Sequence, residues 1–356
     1  MIHKHAGFFG VTLDFFVQQS WSYFKCSMCG QIILYKKSYK SCPKCNRNKQ
    51  KQRMVIKKKS LYPHHRLSQS LTSFLEGNQK IQRKTAIPIW KTSANHVFVG
   101  SGLEYMFRYM YHDLPFPEIP VFIVQPSIRL RTYSKDVSSI HRMGDENCSF
   151  GFVNISILRQ LNNTNEFPVH LDSAVTLLSA SGLHVNRMSI VIDTFIYSIS
   201  KRYKSHVIRF YIDQVEVGDY IAITDNITET VILETGFGLE RLTACRDNIK
   251  YIDVLSNEHC PKDADLILIL QFLVLFTMSA VPFNKKSAWF KAKGFALYVS
   301  KNLGSFDTFL SHRYFYQYWL PYVYEPLDQI SSYLRFLDLI EGCQTFKKLK
   351  EENLHT

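Results

Sequence analysis

The sequence lacks any apolar run long enough to cross a membrane. Its one suspect, Leu266 to Val281, contains Gln271, Thr277 and Ser279 and stops at Pro282, short of the roughly 20 residues that a span requires. A buried helix is expected there instead. A secretory signal is not evident either, because Asp14 breaks the only early apolar stretch and no small-residue cleavage site follows. There is no internal repeat, and no low-complexity tract beyond one basic connector. Acid is missing from one segment altogether: between Lys36 and Lys59 there are eleven Lys and Arg and no Asp or Glu. The formal net charge of +13 is therefore almost entirely local. A concentrated patch of this kind is an electrostatic footprint for phosphates. A solvated basic segment is the alternative; a membrane surface fits poorly, since the segment is not amphipathic.

What is present suits a folded protein of two or three domains. The 356 residues are 46% hydrophobic and 21% charged, enough apolar material for a sizeable core. Residues 1 to about 24 read as a short helix, with Leu13, Phe16 and Val17 on one face. A ribbon and a polar basic connector then run to Gln82. From Ile87 the texture is that of an α+β domain. Strands are expected at Val121–Val124, Phe150–Ile157, Ser189–Ser198, Val207–Ile223 (with a bend near Gln214–Gly218) and Thr228–Glu234, and a helix at Ser173–Ala180. Beyond Leu255 the chain reads as all helix, punctuated by Pro282, Gly304 and Pro321. The expected division is 1–82, 83–255 and 256–356.

Eight cysteines in a chain of this length do not suggest a disulfide framework. Four form two Cys-x-x-Cys pairs, Cys26/Cys29 and Cys42/Cys45, separated by twelve residues; Cys148, Cys245, Cys260 and Cys343 are scattered. Each pair can turn tightly enough to aim two thiolates at one point, helped by Gly30 and Pro43, and the two together complete a tetrahedral structural zinc site. Redox thiols and chance pairing are the other readings. Paired thiols also favour a reducing compartment, so a cytoplasmic protein with no membrane partner is expected.

The most informative stretch is Glu234-Thr-Gly-Phe-Gly-Leu-Glu-Arg241. Physically, a strand delivers two glycines and then an arginine on the first turn of a helix. Glycines let a planar ligand lie against the backbone, and a helix-held arginine can meet phosphate oxygens. The stretch resembles motif 3 of class II aminoacyl-tRNA synthetases, and the acidic-Thr pair narrows the likeness to the D-T-G-x-G-x-E-R of the alanyl-tRNA synthetase family, archaeal type. The resemblance implies a class II antiparallel sheet with helices, preceded by a zinc ribbon and followed by an all-helical domain. It implies that Arg241 holds the ATP γ-phosphate, that Gly236 and Gly238 flank adenine, and that Glu234 stands where an aspartate binds the substrate's α-amino group.

Other blocks agree. Gln125-Pro-Ser-Ile-Arg-Leu130 is similar to the family's Q-P-C-I-R-L, which implies Arg129 on the α-phosphate. Two arginines toward the two ends of a triphosphate suit an anion attacking an anion. In the loop that follows, His141 and Arg142 are further candidates for ATP. The returning strand, Phe150-Gly-Phe-Val-Asn-Ile-Ser156, departs from F-F-E-M-L-G-N, with Gly151 in place of a glutamate that would hold the adenine amino group. Gln214-Val-Glu-Val-Gly-Asp-Tyr220 looks like G-L-E-V-A-N/T-L, so Glu216 matches directly and Asp219 replaces an amide or hydroxyl near the amino-acid carboxylate. Ile89-Trp-Lys and Phe98–Glu104 are loosely similar to motif 1, where class II proteins dimerise or close their sheet, so a homodimer is among the assemblies implied. Met278-Ser-Ala-Val-Pro-Phe-Asn284, with Trp289, resembles the start of the acceptor-stem-reading domain and implies RNA contact at Asn284; a proline-kinked end of a core helix is the plainer reading. The resemblance covers roughly residues 10 to 300 and includes nothing like the family's editing domain.

Three functions compete. The first is an ATP-dependent ligase that makes an aminoacyl-adenylate and passes the acyl group to a tRNA or another acceptor, with structural zinc and magnesium-bound ATP as substrate. The second is a catalytically impaired relative that serves as an RNA-binding module, for tRNA or tRNA-like RNA, with Lys57, Lys58 and Lys59 among its phosphate contacts. The third, a zinc-ribbon assembly factor, leaves Arg129 and Arg241 without a role.

Overall fold

The computed structural model describes residues 13–18, 21–26, 31–36, 62–77, 81–91, 97–111, 114–130, 149–161, 166–193, 196–198 and 201–352. Cys29, Cys42, Cys45, Lys57, Lys58, Lys59, His141 and Arg142 lie outside them. The fold is mixed α+β, as expected. Its described strands are β1 (Ser22–Lys25), β2 (Ile32–Tyr35), β3 (Gln82–Lys84), β4 (Val121–Ile128), β5 (Gly151–Leu161), β6 (Met188–Ile192), β7 (Tyr197–Ser198), β8 (Tyr203–Ile212), β9 (Val215–Asp225) and β10 (Val231–Gly238). They form one sheet in the order β1-β2-β6-β8-β9-β10-β5-β4-β3, with β7 pairing β8. From β1 through to β5 the neighbours are antiparallel, while β3 joins β4 in parallel.

The chain divides into two interleaved units. The first draws on Met1–Lys84, Met106–Ile123 and Asn154–Lys250 and holds most of the sheet; the second draws on Thr85–Tyr105, Val124–Val153 and Tyr251–Thr356.

In the first unit, β8 and β9 are joined at Asp213 and Gln214, both left-handed with φ of 46° and 75°. Two successive positive φ values match the natural twist of a tight hairpin. Arg187 donates to the Asp213 carboxylate from Nε at 2.8 Å, tying the turn down. The expected bend at Gln214–Gly218 is thus a hairpin one or two residues earlier. Helix α1 (Leu13–Gln18) ends before the boundary expected near residue 24, because the chain becomes strand at Ser22; Phe16 is buried but Val17 is half exposed. The expected polar connector contains a helix, α2 (Pro63–Glu76), which buries Leu67, Leu71 and Leu75 at a spacing of four. Helix α4 (Phe167–Ala180), which follows α3 (Glu104–Tyr111), begins six residues before its expected start and ends just before Gly182, whose φ of 87° suits a residue without a side chain. Helix α5 (Leu239–Asp247) follows β10 directly.

The second unit is mainly helical: α6 (Tyr251–Leu255), α7 (Ala264–Met278), α8 (Lys286–Ser300), α9 (Thr308–Trp319) and α10 (Gln329–Glu352). The apolar run is α7, capped by Asp263, whose carboxylate accepts from the backbone N–H groups of Asp265 and Leu266. Every residue from Ile269 to Met278 is buried, so α7 is the central helix of this unit. Among the described residues no helix is long and apolar enough to cross a membrane.

Candidate functional site

The motif 3 stretch spans a strand and a helix. Its two glycines lie within β10 rather than after it, and Arg241 is the third residue of α5. Register then decides which side chains meet. Glu234 lies opposite Leu158 of β5 and Ile221 of β9, Gly236 opposite Ser156 and Asp219, and Gly238 opposite Asn154. Alternation puts Glu234, Gly236, Asp219, Asn154 and Ser156 on one side of the sheet.

The Glu234 carboxylate is 2% exposed and accepts a hydrogen bond from Ser156 Oγ at 2.8 Å. Asn154 Nδ2 reaches the Phe237 carbonyl at 3.4 Å. At Gly236 a Cβ would sit 3.3 Å from Glu234 Oε1 and 3.5 Å from both Asn154 Nδ2 and Ser156 Oγ. A carboxylate, an amide and a hydroxyl thus close in on this position, and even a methyl group would crowd the carboxylate. Gly218 has a different reason to be glycine: a Cβ there would fall 2.2 Å from the Gly236 carbonyl oxygen. That close approach of β9 to β10 sets the backbone beneath the polar cluster.

Glu216 and Asp219 of β9 share a guanidinium. Arg209 of β8 places Nη1 3.3 Å from Glu216 Oε1 and 3.3 Å from Asp219 Oδ1, and Nη2 3.6 Å from Asp193 Oδ2. Asp193 is buried and also accepts from Gln31 Nε2 at 3.4 Å, while Tyr211 OH donates to Glu216 Oε2 at 3.1 Å. The charge of Asp219, which stands where the resemblance puts a neutral group, is thus partly matched from β8. Arg241 donates from Nη1 to the Glu216 carbonyl at 3.0 Å, which holds its guanidinium against β9.

Sequence reasoning missed Arg209, Asn154 and Ser156. A signal existed for the first, since Arg209 is the one charged residue in Val207–Ile212. The other two depend on a register that the sequence does not display.

In the second unit, Arg129 at the end of β4 donates from Nε to the Gly100 carbonyl at 2.7 Å, and its guanidinium lies 5.0 Å from the Phe152 ring centroid. Gly100 N–H in turn donates to Glu104 Oε1 at 2.6 Å, and Ile128 N–H to the Val99 carbonyl at 2.7 Å. The blocks similar to motifs 1 and 2 are therefore neighbours. The Gln125 amide accepts from the Ile87 N–H and donates to the Ile87 carbonyl at 2.9 Å each, and it donates to the Pro126 carbonyl at 2.8 Å as well. That pairing secures the strand beside Pro126, which has no N–H to give.

Gly151 also has a physical explanation. A Cβ there would sit 3.1 Å from Trp319 Cζ2 and 3.5 Å from Leu275 Cδ2. Trp319 is fully buried and donates from Nε1 to the Gln271 carbonyl at 2.9 Å. The indole covers position 151, so no glutamate side chain fits there without repacking. Asn284 is exposed in the turn between α7 and α8.

Cys26 alone of the four paired cysteines is described. It follows β1 directly, is buried against Ile33, Val191 and Tyr211, and its N–H donates to the Gln31 carbonyl at 2.8 Å. That bond sets Cys26 against Gln31 at the start of the neighbouring strand. Of the scattered cysteines, Cys245 is buried and its thiol is pushed up to about 12 by desolvation, which makes it an inert core residue.

No family model and no curated protein matches the chain. Among solved structures, a pyrrolysyl tRNA synthetase of Desulfitobacterium hafniense, PylSc, is similar at 14% identity and a TM-score of 0.36, over 52% of this chain and 69% of that one.

Proposed function

We propose that the chain binds an amino acid and ATP, forms an aminoacyl-adenylate and passes the acyl group to tRNA or another acceptor, in the manner of an alanyl-tRNA synthetase-like ligase. The observation that carries the reading is the buried Glu234 carboxylate, hydrogen-bonded by Ser156 and on the same side of the sheet as Asn154, Gly236 and Asp219. A carboxylate so placed suits an ammonium group, whose charge offsets the cost of burying it. In this proposal Glu234 takes the α-amino group, with Glu216 and Asp219 also lining the amino-acid site. Gly236 and Gly238 flank adenine. Arg129, Arg241, His141 and Arg142 carry the phosphates of magnesium-bound ATP. Attack of the amino-acid carboxylate on the α-phosphorus breaks the bond to the bridging oxygen and releases pyrophosphate. Cys26, Cys29, Cys42 and Cys45 are proposed to hold a structural zinc ion, Lys57, Lys58 and Lys59 to contact RNA phosphates, and Asn284 to contact the acceptor end.

The test is amino-acid-dependent exchange between ATP and pyrophosphate across the twenty amino acids. Exchange with one or a few of them is expected, and Arg241→Ala should lower it at least about thirtyfold, as for a charge-assisted contact worth ~2 kcal/mol. The second reading, an RNA-binding module without adenylation, is favoured by one observation: Trp319 covers the position from which a glutamate would hold adenine. No exchange with any amino acid, alongside retained RNA binding, would select it.

A further inference from the structure

Helix α8 and the turn before it are unlike the rest of the helical unit. From Ser279 to Phe306 there are five lysines and no acid, whereas acids and bases are nearly balanced over residues 256–352 as a whole. Two large aromatics stand out into solvent here, Phe290 at 80% and Phe283 at 77% exposure. A single exposed Phe is ordinary; two of this size seven residues apart, in a segment with five lysines and no acid, are less so.

Their geometry is that of a platform. Phe283 stacks on Trp289 with ring centroids 4.8 Å apart and planes 18° from parallel, so one face of its ring is supported and its 77% exposure leaves the other open. Trp289 is held by a hydrogen bond from Nε1 to the Pro282 carbonyl at 3.0 Å. The Arg335 guanidinium lies 5.2 Å from the Phe283 centroid and 5.1 Å from that of Trp289, and Arg335 also donates to the Val281 carbonyl. The support is therefore rigid, although the ring it presents is exposed. Phe290 lies one turn beyond Lys286 and one turn before Lys293, so the three share a face of α8. The residue one turn past Phe290 is Gly294, where a Cβ would meet nothing within 4 Å. A flat group can lie beside the Phe290 ring without meeting a side chain there.

We propose that this surface binds single-stranded RNA, with unpaired bases stacking on Phe283 and Phe290 and the lysines at 285, 286 and 293 meeting the phosphates between them. Alternating aromatic and cationic groups are what a flexible polyanion with planar bases requires. The absence of acid from Ser279 to Phe306 excludes repulsion from within the patch. This inference rests on the RNA-binding part of the proposed function and locates it; it does not require adenylation.

The experiment uses the full chain and a fluorescent 12-nucleotide unstructured RNA, compared with a blunt duplex of the same sequence, over a range of salt. Preference for the single strand is expected. Phe290→Ala should weaken it roughly tenfold, Phe290→Trp should retain it, and Phe290→Leu should behave like alanine, since stacking rather than apolar area is at issue. Lys286→Gln with Lys293→Gln should flatten the salt dependence by about 1.4 in log–log slope. Equal binding by the leucine and tryptophan variants, or wild-type affinity in Phe290→Ala, overturns the proposal. A dimer in sedimentation that Phe290→Ala dissolves, with RNA affinity unchanged, would assign the patch to a second copy and also overturn it. If binding is lost in Lys57→Gln/Lys58→Gln/Lys59→Gln but indifferent to Phe290, this site fails while RNA binding stands; if the wild-type chain binds no RNA at all, both fail.

Discussion

The two units bury polar groups in different ways. On the sheet of the first, charges are taken inside: Asp193 and Glu234 are almost fully covered, and Arg209 spans Asp193, Glu216 and Asp219. In the helical unit most buried polar contacts are neutral, with Glu104 a charged exception that accepts from the Gly100 N–H: Ser149 donates to Gln271 Oε1 at 3.0 Å, Trp319 to the Gln271 carbonyl, and His312 meets Ser332 Oγ at 3.2 Å. Neutral hydrogen bonds satisfy buried groups at little cost and lock the packing of helices. Buried charges stabilise a fold poorly compared with apolar packing, and their retention calls for another explanation. Under the proposed function, a ligand accounts for the carboxylates gathered around one arginine beside two glycines. The neutral set needs none.

The contrast can be broken most sharply at Gly151. Gly151→Glu should destabilise the helical unit by ~4 kcal/mol, because it forces a carboxylate against the Trp319 indole; Gly151→Ala should cost only ~1–2 kcal/mol. Urea denaturation followed by Trp fluorescence measures both. A Gly151→Glu protein as stable as the parent would show that this interior accepts charge after all.

A smaller loss is expected on the sheet. Arg209→Met should cost about 2 kcal/mol, since Asp193 then lacks its guanidinium while Gln31 still donates to it. Adding Asp193→Asn should restore much of that. If the double variant is no better than the single, the arginine acts by packing alone.

The mildest effect separates two histidines, both lowered to about 4 by burial. In the sheet unit the positive charge of Arg159 also lowers His170; in the helical unit burial lowers His312 against a hydrogen bond with Ser332 that works the other way. Both are neutral at pH 7. Because the unfolded chain takes up their protons near pH 6.5, stability is full above that value and is lost progressively as pH falls toward 4. Arg159→Gln should raise the His170 value in an NMR titration and leave His312 where it is. Movement of both, or of neither, would remove the distinction.

Much of this was legible in advance. The apolar run from Leu266 could only be a covered helix, and the alternation in Phe150–Ile157 and Val207–Ile223 announced strands of a mixed fold. The motif around Glu234 was visible because its residues are consecutive. What escaped notice was governed by pairs distant in sequence. Arg209 meets Asp219 only through the β8–β9 hairpin, and Ser156 meets Glu234 only through the register of β5 on β10. Helix α2 was hidden for another reason: its three buried leucines at positions 67, 71 and 75 sit among polar residues, next to a basic segment that dominated the reading of the whole connector.

The contact between Gly151 and Trp319 joins residues almost 170 positions apart. During synthesis, at roughly 5–20 residues per second, the start of β5 waits on the order of ten seconds or more before its indole cover exists. Phe150, which packs on Phe295 with centroids 4.8 Å apart, waits nearly as long. The second unit thus cannot mature from its N-terminal end, and a ribosome stalled before α9 would carry an apolar strand end in search of a substitute. Chaperone occupancy on the nascent chain should therefore rise once Val153 has emerged and fall once Trp319 has.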